Sequence, residues 1–193
     1  MYKEYIWNYF KEKIGNEYGV AGLMGNLQAE SNLNPINLEN QYETSLGMND
    51  EQYTSAVDNG TYTESQFVND SAGYGLAQWT YHSRKQALYN LYKTGYSSIG
   101  SIELACEYLW YELQNEFAGV LAVLKSATSI REASDKVLHD FENPKDQSVL
   151  VEIKRASMGQ AIYKELTGTG GTVTPSKEKK TLSLLMMYLA TRR

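Results

Sequence analysis

Residues 19–35, Gly-Val-Ala-Gly-Leu-Met-Gly-Asn-Leu-Gln-Ala-Glu-Ser-Asn-Leu-Asn-Pro, constrain this chain more than any other stretch. Val20, Leu23, Met24 and Leu27 recur at helical spacing, so the segment reads as a helix with an apolar stripe. At about 100° per residue, Glu30 falls at the edge of that stripe, where core meets surface. Pro35 disfavours helical geometry in the residue before it and cannot continue a helix, which places the helix end near Asn32. A carboxylate at that edge is set to keep its proton longer than a surface glutamate does. A general acid working near neutral pH needs that property.

A chain of 193 residues has room for one domain with a real core and a short appendage. Its 42% hydrophobic and 21% charged content is that of a globular protein and argues against disorder, collagen-like repetition or a coiled coil. The net charge of −5 argues against nucleic acid as a partner, because phosphate binding needs a basic surface. Sixteen tyrosines stand against four phenylalanines, and a flat ring carrying a hydroxyl suits a wet groove for sugar or peptide as well as a core. The single cysteine, Cys106, excludes an internal disulfide and a cysteine-based zinc cluster; at helical spacing with Ile102 and Leu109 it reads as a small core residue. His82 and His139 lack paired ligand spacing, so neither a zinc amidase nor a Cys106-based peptidase is favoured, and no metal or cofactor is expected. Met1 to Trp7 alternate charge with aromatics and do not resemble a secretory signal, so the chain is expected to reach any extracellular target by another route.

Along the chain the pattern is helical. Residues 2–14 predict an amphipathic helix with Tyr2, Tyr5, Ile6, Tyr9, Phe10 and Lys13 on one side, closed by Gly15. Residues 36–72 are polar and weakly periodic, with one capping box, Asn49 to Gln52, opening a short helix; a connection this long is expected to form a wall or lid. Helices follow at 82–94 with Ser83 as N-cap, at 101–114, in the apolar run 117–124, from a capping box at Ser129 to Glu132 until Pro144, and at 146–166 with Val149, Leu150, Ile153, Ile162 and Tyr163 apolar. No long alternating strand pattern occurs, so the expected fold is mainly α with little or no β structure, any of it within residues 36–80. The expected organisation is a domain over residues 1–167, then a flexible Gly/Thr-rich linker and a short basic-apolar tail over 168–193. The apolar run in the tail is too short to span a bilayer, and its basic flanks suit a membrane surface or a docking partner through residues 177–193. An assembly segment without a role of its own is the alternative.

Three phrases carry a resemblance. Ala21-Gly-Leu-Met-Gly-Asn-Leu-Gln-Ala-Glu-Ser-Asn32, Gly73-Tyr-Gly-Leu-Ala-Gln-Trp-Thr80 and Phe141-Glu-Asn-Pro144, in that order, resemble the phage tail lysozyme family, itself similar to goose-type lysozymes and lytic transglycosylases. The resemblance runs over about residues 15–165 and implies a lysozyme-like helical fold that cuts the β-1,4 link between N-acetylmuramic acid and N-acetylglucosamine. By position it implies that Glu30 is the general acid, that Ser31 supports it at the substrate side, that Gln78 is an amide at the sugar site, and that Tyr74 and Trp79 line the groove. It also implies peptidoglycan glycan strands as substrate, phage tail proteins as neighbours, and action at the bacterial cell wall from a virion or after release from the host.

Glycosidic cleavage also needs a second carboxylate, or the substrate itself, to handle the oxocarbenium-like centre. Asp70, just before the glycine turn, and Glu142, at a helix end before Pro144, are the two candidates. Without either, the muramyl 6-hydroxyl can attack internally and leave an anhydro product. A peptidoglycan-binding or tail structural module that keeps the groove but performs no chemistry is the alternative from another class.

Overall fold

In the computed structural model, residues 2–168 are described; apart from Gly168, the expected linker and tail, including the docking role of 177–193, lie outside the described residues. The elements are α1 (Tyr2–Ile14), α2 (Glu17–Ser31), α3 (Asn40–Leu46), α4 (Asp50–Asp58), α5 (Glu64–Asn69), α6 (His82–Tyr92), α7 (Ile102–Asn115), α8 (Ala118–Ser126), α9 (Ile130–Val137), a π-turn (Leu138–Glu142) and α10 (Val149–Thr167). The fold is mainly α. Among the described residues β structure is limited to the isolated bridges Leu38–Tyr74 and Tyr74–Trp79.

The middle of the fold is α2, packed against α1, α8, α9 and α10. Asn16 opens it by accepting the Tyr18 amide proton, and Asn32 closes it in the left-handed region, its amide bonded to the Gln28 carbonyl. Every residue from Gly19 to Leu27 is buried, so the helix is enclosed all round rather than along one stripe. Close approach makes this possible. A Cβ at Gly19 would lie 1.9 Å from the Leu124 carbonyl oxygen of α8, one at Gly22 2.5 Å from Ala133 Cβ of α9, and one at Gly25 2.4 Å from the Arg155 carbonyl oxygen of α10. In return α10 offers Gly159, where a Cβ would meet the Ala21 carbonyl oxygen at 2.4 Å. Backbone therefore meets backbone on three sides of α2, at distances no side chain can share.

One expected helix face needs correction. In α1 the buried residues are Ile6, Trp7, Phe10 and Ile14, while Tyr2 and Tyr5 are exposed. In α10 the buried residues are Arg155, Gly159 and Ile162, and the apolar Val149 and Leu150 of the first turn are exposed. Residues 36–72 hold three short helices instead of one. The capping box at Asn49 and Gln52 forms, and a second joins Thr63 to Gln66 at the start of α5. For α6 the N-cap is Tyr81, with Ser83 inside the first turn. At α9 Ser129 caps the Glu132 amide, but the Glu132 carboxylate turns to the Thr128 amide and hydroxyl, so the box is half made.

Adding a methyl at Gly25 tests the seam. A Gly→Ala change in an open helix raises stability by up to about 1 kcal/mol, whereas Gly25→Ala is expected to lower it by about 1–3 kcal/mol or more through overpacking. Urea denaturation measures this, and a variant as stable as the wild type would show that α2 and α10 do not approach this closely.

Candidate active site

Three elements converge at the C-terminal end of α2. Asn26 and Glu30 are four residues apart and so share a face. Across the Gly25–Gly159 contact, Arg155 reaches both: one guanidinium nitrogen lies 2.5 Å from Glu30 Oε1 and the other donates to Asn26 Oδ1 at 3.2 Å. Asn26 is wholly buried, and its amide nitrogen is within 3.1 Å of the Gly22 carbonyl, the Ser134 carbonyl and the Ser134 hydroxyl, which ties α9 into the same network. Arg155 is thus a fixed cation. Its side chain is 9% exposed, while that of Glu30 is 21% exposed, so the carboxylate it grips is open to solvent.

The π-turn after α9 delivers Glu142. One extra residue in the turn sends the Asn143 amide to the Leu138 carbonyl at 2.9 Å, and Asn143 takes φ 45 before Pro144. Such insertions re-aim side chains and recur at functional sites. Phe141 packs edge-on to Phe117 with ring centroids 4.8 Å apart, and the Arg84 guanidinium covers the Phe141 ring at 5.0 Å. Among the described residues, Glu142 Oε1 is the one buried side-chain polar atom without a hydrogen-bond partner. Burial, followed by the charge of Glu30, pushes the Glu142 carboxyl up from 4.5 to about 8, against the opposing pull of Arg84 and Arg155.

A third carboxylate stands behind these. Glu112 of α7 has a fully buried side chain and accepts two bonds from Arg84, at 2.6 and 2.8 Å, and one from the Trp79 indole at 2.8 Å. The cluster holds three carboxylates and two guanidinium groups, with Glu142 under the influence of all four others.

The remaining expected site residues lie elsewhere. The Ser31 hydroxyl is buried, donates to the Leu76 carbonyl at 2.8 Å and lies 3.1 Å from the Leu27 carbonyl, so it fastens the end of α2 to the glycine turn instead of facing substrate. Gln78, at φ 46, uses its amide nitrogen on the Asn37 carbonyl, Asn37 Oδ1 and the Gly75 carbonyl, bracing the turn from within. Gly75 has φ 76, and a Cβ there would press on the Trp79 ring at 2.9 Å. Tyr74 and Trp79 are core residues, 0% and 1% exposed, and neither ring lines a groove. Tyr74 bonds Thr54 at 2.7 Å, and Trp79 leans on Tyr108 with centroids 5.0 Å apart. Asp70 is fully engaged. It pairs with buried Lys85 at 2.5 Å and accepts from Tyr53 and Tyr62 hydroxyls and the Ala72 amide, which makes it an anchor of α4, α5 and α6 rather than a reacting carboxylate. Cys106 is fully buried, and burial pushes its thiol up, away from the nucleophilic thiolate.

The profile described as phage tail lysozyme matches residues 2–166. The chain belongs to the phage tail lysozyme family. No solved structure gives a significant match. The matched span contains every element that builds the carboxylate cluster: α2, α6, α7, the π-turn and the part of α10 bearing Arg155. Four residues of that cluster were not singled out as site residues from sequence: Asn26, Arg84, Glu112 and Arg155. Three of them had a signal, a polar or charged residue at core spacing: Asn26 inside an apolar run, Glu112 beside Leu109 and Leu113, and Arg155 in register with Gly159 and Ile162.

The raised carboxyl of Glu142 has a stability consequence. Between pH 4.5 and about 8 the folded protein holds a proton there that the unfolded chain has lost, so this group's stabilising share is full below pH 4.5 and is lost as pH rises through about 8. Glu142→Gln removes that dependence. The melting temperature of the variant relative to wild type is expected to climb from pH 5 to pH 8, and a difference that stays flat would mean that Glu142 titrates as an ordinary carboxylate.

Proposed function

We propose that this chain is a muramidase that cleaves the β-1,4 bond between N-acetylmuramic acid and N-acetylglucosamine in peptidoglycan, with Glu30 as the residue that protonates the leaving oxygen. The observation that carries the reading is the position of Glu30 in a buried charge cluster: of its carboxylates, Glu112 has no exposed side-chain surface and Glu142 Oε1 is buried, while Glu30 is partly open and gripped by Arg155. A glycosidic oxygen leaves poorly unless it is protonated as its bond to the anomeric carbon breaks, and a half-open carboxyl backed by a rigid cation and a second acid is suited to that task. Ser31, Gln78 and Gly75 support the reading as positioning residues: they brace the glycine turn and lock it to the end of α2, next to Glu30 in the chain. Membership of a phage tail lysozyme family supports a glycan-strand substrate and action at the bacterial wall in the setting of a phage tail. In this reading, the domain over residues 1–167 is the catalytic unit.

The chemistry runs without a protein nucleophile being required. Protonation by Glu30 releases the N-acetylglucosamine hydroxyl, and either water or the muramyl 6-hydroxyl captures the anomeric carbon. The two captures differ by one water in the product.

Glu30→Gln keeps the shape and the hydrogen-bonding reach toward Arg155 but carries no acid. Release of soluble muropeptides from purified cell walls is expected to fall by about a hundredfold or more, with thermal melting near that of wild type. Full activity in this variant would remove Glu30 from the mechanism. Wild-type protein that binds walls and releases nothing would favour a binding or tail structural module.

A further inference from the structure

Glu142 Oε1 has no hydrogen-bond partner in a place where partners are the rule. Buried polar atoms in folded proteins are hydrogen-bonded, and an exception asks for a reason. Here the reason lies in the stoichiometry of charge. Arg84 is committed to Glu112 by two parallel bonds at 2.6 and 2.8 Å, and Arg155 is committed to Glu30 at 2.5 Å. Two cations are spoken for by two carboxylates, and the third carboxylate in the cluster has none of its own.

Other elements packed nearby do not supply one. Within the π-turn itself, His139 is held by Gln147 at 2.8 Å and Glu152 at 2.9 Å, and Arg131 of α9 bonds Asp135 and Glu152. On α6, Lys85 is bound to Asp70, the Tyr53 hydroxyl and the Ala72 carbonyl. A carboxylate whose buried oxygen lacks both a cation and a donor is the member of such a set that keeps its proton, because the neutral acid avoids the desolvation cost that an unpaired buried anion carries.

We propose that Glu142 is the proton store of the site: in the resting protein the proton used on the glycosidic oxygen resides on Glu142, and Arg155 governs its passage to Glu30. This rests on the muramidase reading. In the resting arrangement Glu142 is the neutral acid and Glu30 the anion paired with Arg155. When a sugar enters beside Glu30, the Glu142 acid gives its proton to the Glu30 carboxylate, and the new Glu142 anion takes over the Arg155 guanidinium. Glu30 then passes the proton to the leaving oxygen as the bond to the anomeric carbon breaks. The attacking water, or the muramyl 6-hydroxyl in its place, bonds to that carbon, and the proton it sheds restores the cluster to one proton over three carboxylates. Charge is conserved at every stage, and no further reactant is needed. Glu142 is accordingly a positioning residue for the proton, not a group that touches the sugar.

The test uses the full chain with carbon-13 at the aspartate and glutamate side-chain carboxyls. In wild type, one carboxyl carbon is expected to titrate well above the rest, near pH 8, and to vanish in Glu142→Gln while the other glutamates remain. Glu142→Asp is expected to keep a high-titrating carboxyl. On purified cell walls, Glu142→Gln is expected to lower kcat by about a hundredfold with KM nearly unchanged, and to move the alkaline limb of the kcat–pH profile toward acid. Glu142→Asp is expected to recover part of both. Carboxyls that all titrate below pH 6, or a Glu142→Gln enzyme with wild-type rate and pH profile, would overturn the proposal while leaving the muramidase reading in place. A wild-type protein that shows the high-titrating carboxyl but releases no muropeptides would overturn the muramidase reading, and with it the use of this proton.

Discussion

The bare seam of α2 sets everything else. Gly19, Gly22 and Gly25 repeat every three residues and let α8, α9 and α10 approach until backbone meets backbone, with Gly159 supplying the matching space on α10. A helix this enclosed leaves only its ends for chemistry, and Glu30 lies in its last turn. The same contact that excludes a Cβ at Gly25 brings the Arg155 backbone to within reach, so the Arg155 side chain spans Asn26 and Glu30 without needing to extend into solvent. Close packing and the geometry of the candidate site are therefore one feature. A looser α2–α10 contact would move the guanidinium away from both of its partners.

Two acid clusters in this protein have opposite characters, and the contrast is why the proposed chemistry uses one and not the other. Asp70 accepts bonds from Lys85, Tyr53, Tyr62 and the Ala72 amide, and every strong acceptor site is used. It holds α4, α5 and α6 together and has nothing left to offer a substrate. Glu142 accepts nothing at Oε1 and sits between two ion pairs that are complete without it. Fully satisfied networks specify structure, while an unsatisfied member stores free energy that a reaction can use. The π-turn is the backbone counterpart, a local irregularity that directs Glu142 inward.

Much of this was legible in the amino-acid order. Helical periodicity, the Asn49–Gln52 box and the break before Pro35 were local signals, and local physics decided them. Glu30 and Glu142 stood out because each carboxylate occupies a helix end next to apolar residues. What did not show was the identity of neighbours. The family resemblance implied a groove role for Tyr74 and Trp79, and an aromatic beside a glycine turn fits a groove and a core equally well; tertiary packing put both inside. Asp70 read as a second carboxylate because Lys85, fifteen residues away, gives no local sign that it will bury its amine there. The glycines of α2 were readable as small residues but not as a seam, since their meaning depends on Leu124, Ala133 and Arg155, more than a hundred residues away.

A carboxylate cluster at the end of α2 that serves glycan cleavage must leave a chemical signature on the cell wall. Mass spectrometry of purified peptidoglycan digested with the full chain reads it directly. The expected products are disaccharide muropeptides cut after N-acetylmuramic acid, either with a free reducing end or as the anhydro form one water lighter, with stem peptides whole. Intact glycan strands with severed stem peptides, or no soluble product, would contradict it.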